Sequence, residues 1–367
     1  MYKVVIPSAG KGSRLKGLSK YINKALVTVN QKPAITYVID KFNDDIEIVI
    51  PLGFKGDSLK DFLCIAYPDK KFTFIDVDIY EGPGSGLGYS LLKCKQALNC
   101  PFIFIPNDSI VDEEIPPPTY NWMGYSSIHT SEQYRSLKIK DGKIKDILAK
   151  GAIGKVFPYI GLAGIYDYEE FWQHMESGKD KGSIEVGESY GLKELLQKKN
   201  IQPIEYTWHD TGNLDALDKA KKYLPKGEVD ANILDKSDEA IWFFNNQVIK
   251  FHKDRNFISE RVQRSKNLDG YVPKITNAKD TMYSYKFIDG EVFSRNVTPQ
   301  KFVEFLDFID TFWKKYDLNS SQKNKFYKNC DSFYKEKTYE RVRMFFKRFE
   351  IIDKELIIND EKISSCE

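Results

Sequence analysis

A loop of small and basic residues follows the first apolar segment of the chain. Residues 8–15 read Ser-Ala-Gly-Lys-Gly-Ser-Arg-Leu. Small residues let the backbone pass close to an anionic ligand, and successive N–H groups in such a loop can form an anion-binding nest. Lys11 and Arg14 add positive charge at the same place. These residue types predict a phosphate-binding loop, and the alternative is a glycine-rich turn whose cations are solvated.

Two common phosphate-binding motifs do not fit this loop. A dinucleotide fingerprint needs a third glycine where Leu15 stands, and a P-loop needs a longer spacing between its first glycine and its Gly-Lys-Ser/Thr end. The loop therefore belongs to another class of phosphate site.

Around this loop, apolar strand-like segments alternate with helix-like segments. Such alternation indicates βαβ units, and it predicts a Rossmann-like α/β fold with a mixed, mainly parallel sheet and helices on both faces. Functional residues of such sheets lie beyond the carboxyl ends of the strands. The strands are predicted at residues 3–7, 46–52, 71–78 and 101–105, and the helices at residues 33–42, 58–66 and 85–98.

The alternation ends at three consecutive prolines, residues 116–118. Beyond them, Asp141-Gly142 predicts a hairpin, and the helix at residues 187–197 lies between two further strands, 159–166 and 202–207. The composition changes again near residue 225, where proline, glycine and charged residues cluster. We expect a first domain over residues 1–225, a linker over 226–238 and a smaller α+β domain over 239–367.

Two segments near the N-terminus have a familiar sequence: Gly-Lys-Gly-Ser-Arg-Leu at residues 10–15 and Asn-Lys-Ala-Leu-Val at residues 23–27. Together they resemble the opening signature of the NTP-dependent nucleotidyltransferases that activate sugar phosphates and phospho-alcohols. Later segments resemble, in order, its second glycine loop, its metal-binding aspartate, its acceptor lysine, its acceptor-side strand and its second metal-site aspartate. They lie at residues 84–88, 106–108, 149–151, 159–166 and 208–213.

The resemblance implies that an acceptor phosphate oxygen attacks the α-phosphorus of a nucleoside triphosphate and expels pyrophosphate. Arg14 and Lys11 would hold the β- and γ-phosphates, and Lys24 would hold the α-phosphate. Asp108 and Asp210 would hold Mg²⁺, a hard cation suited to carboxylate and phosphate oxygens. The predicted catalytic residues are thus Arg14, Lys24, Asp108 and Asp210.

The resemblance also implies two sets of binding residues. The nucleotide would be bound by Ala9, Gly10, Lys11, Gly12, Ser13, Arg14, Gly84 and Ser85, and the acceptor by Lys150, Gly164 and Glu188. The chain departs from the family at Asn23, where a proline is usual, and at Ala149, where a carboxylate usually precedes the acceptor lysine. Lys155 is therefore an alternative to Lys150.

Each of these residues has a plainer interpretation when it is taken alone. Asp108 could cap a strand, and Asp210 could be the N-cap of the helix predicted at residues 214–223. Glu188 could reach an acceptor hydroxyl or only favour the positive end of its helix. His209 is expected to be a structural neighbour of Asp210. The ordered match favours the functional interpretation for both aspartates.

Residues 239–293 resemble the smaller lobe of choline/ethanolamine-type kinases. Lys250 ends a strand and Glu260 lies on the next helix, in the places of the phosphate-binding lysine and its ion-pair partner. Such kinases need a later loop bearing His and a catalytic Asp, and no histidine follows His252. We expect either a kinase that stops before its catalytic lobe or a degenerate domain kept for packing, dimerisation into a homo-oligomer, or ligand binding. An unrelated α+β appendage is the alternative.

The composition excludes several classes of protein. The chain is 41% hydrophobic with 55 Lys+Arg against 53 Asp+Glu, and this near-neutral balance argues against a nucleic-acid binder. No apolar run approaches the ~20 residues that cross a bilayer, and the N-terminus lacks the features of a leader. We expect a cytoplasmic protein whose five scattered cysteines are reduced.

The sequence as a whole predicts a Mg²⁺-dependent nucleotidyltransferase that makes an activated metabolite for a bacterial surface polysaccharide. The kinase-like segment favours CTP and a phospho-alcohol such as phosphocholine or phosphoethanolamine, because a kinase would make that acceptor. Sugar phosphates stay open as acceptors. The alternatives are a choline-type small-molecule kinase, if the natural chain continues past residue 367, and a nucleotide-binding scaffold without activity.

Overall fold

The computed structural model describes residues 2–127, 132–227, 229, 238–313 and 316–365. By compactness the chain divides into two units, Met1–Ile288 and Asp289–Glu367. This division lies C-terminal to the predicted linker, most of which falls outside the described residues. The predicted domain ranges therefore stay a prediction.

The regular elements are numbered in chain order. The strands are β1 Lys3–Val5, β2 Thr28–Val29, β3 Lys32–Pro33, β4 Glu47–Leu52, β5 Phe72–Asp76, β6 Phe102–Phe104, β7 Ser109–Val111, β8 Trp122–Tyr125, β9 Ser136–Lys140, β10 Lys143–Leu148, β11 Phe157–Ile165, β12 Gln202–Glu205, β13 Trp208–Asp210, β14 Glu239–Phe244, β15 Gln247–His252, β16 Ile275–Ala278, β17 Met282–Lys286, β18 Leu356–Ile358 and β19 Glu361–Ile363. The helices are α1 Ala34–Ile39, α2 Gly56–Ala66, α3 Leu87–Lys93, α4 Tyr168–Ser177, α5 Ser183–Val186, α6 Glu188–Leu196, α7 Leu214–Tyr223, α8 Arg255–Asn267, α9 Pro299–Phe312, α10 Ser320–Cys330 and α11 Lys337–Phe349. Short 3₁₀ helices cover Ser13–Ser19, Lys24–Leu26, Lys179–Lys181 and Phe293–Arg295, and a π-helical turn covers Asp331–Glu336.

The central sheet of the first unit is mixed. Its main path runs β10-β9-β11-β6-β1-β4-β5, with β8 beside β11 and β12 beside β8. The pairs β1–β4, β1–β6, β4–β5 and β8–β12 are parallel, whereas β11 is antiparallel to its neighbours. The predicted Rossmann-like α/β fold is confirmed.

Both faces of this sheet are covered, as the apolar strands predicted. Because successive side chains of a strand point to opposite faces, Val4 packs with α1 and α2 on one side and Val5 packs with α3, α4 and α6 on the other. Both valines are fully buried. The sheet thus forms the middle of a three-layer core, which holds the loops at its carboxyl edge in place.

The predicted hairpin between β9 and β10 is also present. Asp141 and Gly142 both have positive φ, 53° and 67°, which is the backbone of a tight turn between antiparallel strands. The short strands β7, β8 and β13 were not predicted, because runs of three or four residues carry too little periodicity to be detected.

A second sheet, with strand order β14-β15-β17-β16, belongs to the same compact unit. All of its pairs are antiparallel. Trp242 of β14 is fully buried, its ring lies 5.1 Å from that of Phe62 on α2, and its indole N–H donates to the Thr28 hydroxyl at 3.0 Å. This sheet therefore shares a core with the α/β sheet.

The second unit, residues 289–367, consists of α9, α10, α11 and the β18–β19 hairpin. A capping box formed by Asn319 and Gln322 begins α10. No residue that the structure describes in these three helices is buried. Across the described residues of both units, no helix combines the length and apolarity needed to span a membrane.

Candidate active site

The two predicted metal-binding aspartates are brought together by strand register. Asp108 directly precedes β7, and Asp210 ends β13. These strands are antiparallel, with Asp210 opposite Ser109. The backbone N–H of Thr211 donates to the carbonyl of Asp108 at 3.0 Å. Residues about a hundred positions apart in the chain therefore lie side by side at the edge of the central sheet.

Three charged groups converge around Gly212. A Cβ atom placed on Gly212 would lie 3.0 Å from Asp108 Oδ2, 3.0 Å from Asp210 Oδ1 and 3.3 Å from a guanidinium nitrogen of Arg14. Any larger residue at this position would fill the space between the two carboxylates and the arginine. Gly212 thus keeps open the point at which the predicted catalytic groups meet.

Lys24 completes this cluster. Its Nζ lies 3.0 Å from Asp108 Oδ2, and both side chains are largely buried, with 20% and 17% exposed. Burial alone would raise the pKa of Asp108, but the neighbouring Lys24, helped by Arg14, outweighs it and holds that pKa below its ordinary value. Asp108 is therefore a carboxylate at neutral pH and available to a cation.

The phosphate-binding loop and Lys24 are packed against each other through Gly12. Gly12 has a φ of +65°, and a Cβ there would lie 2.6 Å from Cβ of Lys24. Only glycine fits both the left-handed backbone and the close approach. The Ser19 hydroxyl donates to the Gly12 carbonyl at 2.9 Å and closes the loop.

Asn23, which stands where the family usually has proline, is fully buried. Its amide group donates to the carbonyls of Ser8 and Phe54, both at 2.8 Å, and its side-chain oxygen accepts from the N–H of Ala25 at 3.0 Å. The bond to Ser8 joins the segment that carries Lys24 to the phosphate-binding loop, the bond to Phe54 joins it to the chain after β4, and the third bond lies within the segment. Hydrogen bonds from Asn23 thus restrain this segment, where the family usually has a proline.

Sequence reasoning missed Tyr134, whose hydroxyl donates to Asp210 Oδ2 at 2.7 Å. The other oxygen, Oδ1, accepts from the N–H of Gly212 at 2.8 Å. Burial, with the nearby charge of Asp108, raises the pKa of Asp210. No motif includes Tyr134, because it lies between recognisable segments and reaches Asp210 only in the folded chain.

The remaining nucleotide-loop residues differ in their exposure to solvent. Ala9 is buried, and its carbonyl accepts from the N–H of Phe54 at 2.8 Å. Gly10 is exposed, and a Cβ there would meet nothing within 4 Å. Lys11 pairs with Glu81, and Ser13, like Arg14, is exposed. The exposed members are accessible to a phosphate group.

The second glycine loop precedes α3 and packs against α5. Gly84 has a φ of +78°, and the Ser85 hydroxyl donates to the carbonyl of Gly82 at 2.7 Å. A Cβ on Gly86 or Gly88 would approach backbone carbonyls of α5 to 2.2 or 2.0 Å. Close packing against α5 thus explains why Gly86 and Gly88 are glycines. Nucleotide binding by Gly84 and Ser85 stays a prediction.

The predicted acceptor residues differ in burial, and their role as one group stays a prediction. Lys150 and Lys155 are both exposed. Gly164 is buried in β11 directly against Trp122, whose indole nitrogen would lie 2.1 Å from an added Cβ. This contact gives Gly164 a packing role, and its part in acceptor binding stays a prediction.

Glu188 is the buried member of that set, with 5% of its surface exposed. Burial raises the pKa of Glu188 to about 7. The carboxylate lies beside the Tyr159 hydroxyl, yet within the described part of the chain neither Glu188 Oε2 nor that hydroxyl makes a hydrogen bond of normal geometry. A buried oxygen without a hydrogen bond is costly, so Oε2 is the atom of Glu188 that a ligand group would satisfy.

Other candidate chemistry is limited in the described ranges. Cys64, Cys94, Cys100 and Cys330 are free thiols, and Cys366 lies outside those ranges. Among the residues that the structure describes, no three His, Cys, Asp or Glu side chains are grouped as a metal site. His209 pairs with Asp112 at 3.0 Å, as a structural neighbour of Asp210 would. Cation binding by Asp108 and Asp210 stays a prediction.

Sequence comparison finds relatives that match the α/β part. The chain is 25% identical over 235 residues to the bifunctional protein GlmU of Methanococcus vannielii, covering 60% of this chain and 55% of that protein. It is 26% identical over 236 residues to the bifunctional IPC transferase and DIPP synthase of Aquifex aeolicus, covering 60% and 51%. The chain thus spans about half the length of these relatives. No family model matches it.

Solved structures share the fold. The CTP:phosphocholine cytidylyltransferase of Streptococcus pneumoniae superposes with a TM-score of 0.51 at 22% identity, covering 60% of this chain and 99% of that one. The UTP-bound UGPase of Acinetobacter baumannii gives a TM-score of 0.51 at 17% identity, covering 61% and 93%. The α/β part of the first unit therefore has the nucleotidyltransferase fold, as the ordered motifs predicted.

Proposed function

We propose that the protein is a nucleotidyltransferase that transfers a nucleoside monophosphate from a nucleoside triphosphate to a phosphorylated small acceptor and releases pyrophosphate. The convergence of Arg14, Asp108 and Asp210 around Gly212, with Lys24 paired to Asp108, is the observation that carries the proposal. Charge neutralisation and in-line positioning are what this reaction needs, because it joins two anions without a covalent enzyme intermediate.

Each basic residue has a defined part in the proposed reaction. Lys24 leaves its ion pair with Asp108 and donates hydrogen bonds to the oxygens of the α-phosphate. Negative charge develops on these oxygens as the acceptor oxygen bonds to the α-phosphorus. Arg14 and Lys11, which are both exposed, bind the β- and γ-phosphates that leave as pyrophosphate. Lys11 gives up its ion pair with Glu81 in doing so.

Asp108 and Asp210 fit a divalent cation. Their Oδ2 and Oδ1 atoms lie within 3.0 Å of one point beside Gly212, and hard carboxylate oxygens are the ligands that Mg²⁺ prefers. A bound Mg²⁺ would neutralise phosphate charge. Lys24 already lowers the pKa of Asp108, so this ligand is ionised before any cation arrives.

For the acceptor, we favour a phospho-alcohol such as phosphocholine or phosphoethanolamine, with CTP as donor, over a sugar phosphate. The buried carboxyl of Glu188 beside the Tyr159 hydroxyl supports this choice, since a nearby ammonium head would favour the ionised form of that carboxyl. Lys150 would meet the acceptor phosphate, with Lys155 as its alternative. The product would serve surface polysaccharide synthesis in a bacterial cytoplasm.

The second sheet supports, in part, the proposed relation to the smaller kinase lobe. Its helix α8 lies between β15 and β16 in the chain, as the resemblance requires, with Lys250 on β15 and Glu260 on α8. Lys250 and Glu260, both described, form no ion pair, and Lys250 instead lies 5.5 Å from the ring of Tyr285. We therefore assign this sheet a packing role and no phosphoryl transfer of its own.

Pyrophosphate release tests the proposed function. Purified protein with Mg²⁺ is incubated with each of the four common NTPs against a panel of phosphorylated alcohols and sugars. We expect release that requires both an NTP and an acceptor, with CTP and phosphocholine or phosphoethanolamine as the most active pair. Formation of ADP from ATP and free choline would instead favour the kinase alternative.

Asp108→Asn is the matched variant for this assay. It keeps the shape of the side chain and removes the charge, so we expect loss of release and weaker Mg²⁺-dependent binding of the nucleotide. Absence of release with every pair, together with unchanged nucleotide binding in Asp108→Asn, would contradict the proposal.

A further inference from the structure

Tyr134 is held in one orientation by contacts at both ends of its side chain. Its ring packs edge-on against Trp208 with the ring centres 4.8 Å apart, and its hydroxyl donates to Asp210 Oδ2 at 2.7 Å. Trp208 in turn donates its indole N–H to the hydroxyl of Ser109, which is the residue opposite Asp210 in the β7–β13 pair. The tyrosine is therefore fixed by the same two strands that carry the aspartates.

The two oxygens of Asp210 have different surroundings. Oδ2 is taken by Tyr134, and Asn213 lies 3.5 Å from the same atom. Oδ1 accepts only the backbone N–H of Gly212 in the described chain and lies 3.0 Å from the point that it shares with Asp108 Oδ2. The hydroxyl thus decides which oxygen faces Asp108.

We infer that Tyr134 is a positioning residue for the cation site, orienting the Asp210 carboxylate so that Oδ1 is presented together with Asp108 Oδ2. The inference rests on the proposed function, since it assumes that the two aspartates bind a divalent cation. Groups that hydrogen-bond a metal ligand fix its orientation and raise its affinity for the metal, and their loss typically weakens metal binding about 10–100-fold.

A structural role alone would not require the hydroxyl. The packing against Trp208 needs only an aromatic ring, and phenylalanine supplies it. The hydroxyl adds a single contact, directed at a carboxylate that is 9% exposed. Tyr134→Phe therefore removes the orienting hydrogen bond while it keeps the ring that fills the space.

The chain offers a closely matched control in Tyr67. Its hydroxyl also donates to an aspartate, Asp40 Oδ1, at 2.6 Å, and its ring packs against Phe72 and Phe244 in the core. Tyr67 and Asp40 lie outside the predicted site. Tyr67→Phe therefore measures the general cost of losing a tyrosine–carboxylate hydrogen bond in this protein.

The test is Mn²⁺ binding to the full chain without substrate, followed by electron paramagnetic resonance, together with thermal unfolding. We expect Tyr134→Phe to bind Mn²⁺ about 10–100-fold more weakly than the unmodified chain, and Tyr67→Phe to bind it equally well. In pyrophosphate release, Tyr134→Phe should need correspondingly more Mg²⁺ for half-maximal rate, with a smaller change in the rate at saturating Mg²⁺.

Asp210→Asn separates failure of the inference from failure of the proposed function. Loss of Mn²⁺ affinity in Asp210→Asn but not in Tyr134→Phe would overturn the inference and leave the proposed site intact. Unchanged affinity in Asp210→Asn would overturn the assignment of the cation site itself. A weaker Mn²⁺ affinity in Tyr134→Phe that comes with a larger fall in Tm than in Tyr67→Phe would also overturn the inference, because the defect would then be one of folding.

Discussion

At the scale of single residues, the proposed reaction requires charged side chains to change their ion-pair partners. Lys24 holds Asp108 in the free protein, and in the proposed reaction it turns to a phosphate while a cation replaces it at the carboxylate. The neighbouring lysine thus holds the pKa of Asp108 below its ordinary value until substrate arrives. This arrangement avoids leaving a buried ion without a partner, which would be costly.

Removal of the lysine charge is the most direct test at this scale. Lys24→Met should lower kcat about 100–1000-fold, because the group acts on charge that develops in the transition state. The release of pyrophosphate at saturating substrates measures kcat. Lys60→Met, on the exposed face of α2, is the control and should leave kcat unchanged. A rate for Lys24→Met close to that of the control would remove Lys24 from the mechanism.

Glu188 predicts a pH dependence of stability. Its pKa is about 7 in the folded protein, above its ordinary value of 4.5, so between these pH values the folded chain holds a proton that the unfolded chain has lost. The free energy of unfolding should therefore fall as the pH rises through this window, and it should then level off. The total change is at most about 3 kcal/mol.

Glutamine does not titrate, so Glu188→Gln removes this pH dependence. The free energy of unfolding of the variant, relative to that of the unmodified chain, should therefore increase from pH 5 to pH 8. Urea unfolding of both proteins at several pH values measures the difference. Glu185→Gln changes an exposed residue in the preceding helix α5 and is the control. Parallel stability curves for Glu188→Gln and the unmodified chain would show that the Glu188 carboxyl is not protonated on folding.

At the scale of elements, the site depends on backbone shape as much as on side chains. The β7–β13 register places the aspartates side by side, and the left-handed residue Gly12 lets the phosphate-binding loop close over Lys24. The buried side chain of Asn23 then joins that loop to Phe54 by donating to the carbonyls of Ser8 and Phe54. Three separate stretches of chain are thereby fixed against one another.

The two glycines of the loop provide a matched pair of variants. Gly12→Ala would force a side chain into a φ of +65° and within 2.6 Å of Lys24 Cβ, so we expect a loss of about 1–3 kcal/mol in stability and weaker NTP binding. Gly10→Ala adds a methyl group that meets nothing within 4 Å and should not lower stability. Thermal unfolding distinguishes them, and equal Tm values for the two variants would be inconsistent with strain at Gly12.

At the scale of the whole molecule, the second sheet is part of the first compact unit. Trp242, Ile249 and Phe251 lie in the same buried cluster as residues of α1, α2 and the central sheet. The N–H of Phe243 also donates to the carbonyl of Gln31 at 2.8 Å, beside the β2–β3 hairpin. The α/β sheet and the antiparallel sheet should therefore unfold together.

Trp242→Ala tests this coupling. Removal of a large, fully buried aromatic side chain should cost about 3–5 kcal/mol, and calorimetry should show a single transition of the first unit shifted to lower temperature. Trp313 in the second unit is 67% exposed, and Trp313→Ala should change stability by less than about 0.5 kcal/mol. A separate low-temperature transition, with the remaining transition unmoved, would show that the two sheets fold independently.

The sequence by itself determined the features that are local in the chain. Alternating apolar segments of the right length specify the α/β sheet, since a strand such as β4 is apolar from residue 48 to residue 52 and must be buried on both faces. Asp141-Gly142 specifies a hairpin because its residues tolerate positive φ. The order of the glycine, lysine and aspartate segments was enough to predict the nucleotidyltransferase fold and to nominate Lys24, Asp108 and Asp210.

Only the tertiary structure decided how those residues meet and which others assist them. Tyr134 and Gly212 matter because of where the folded chain puts them, and no local pattern distinguishes this tyrosine from the other 21. Gly164 was nominated for acceptor binding, yet its contact with Trp122 is a matter of packing between strands. Pairing across long stretches of chain depends on register and on burial of shared surfaces, and neither is encoded in any single segment.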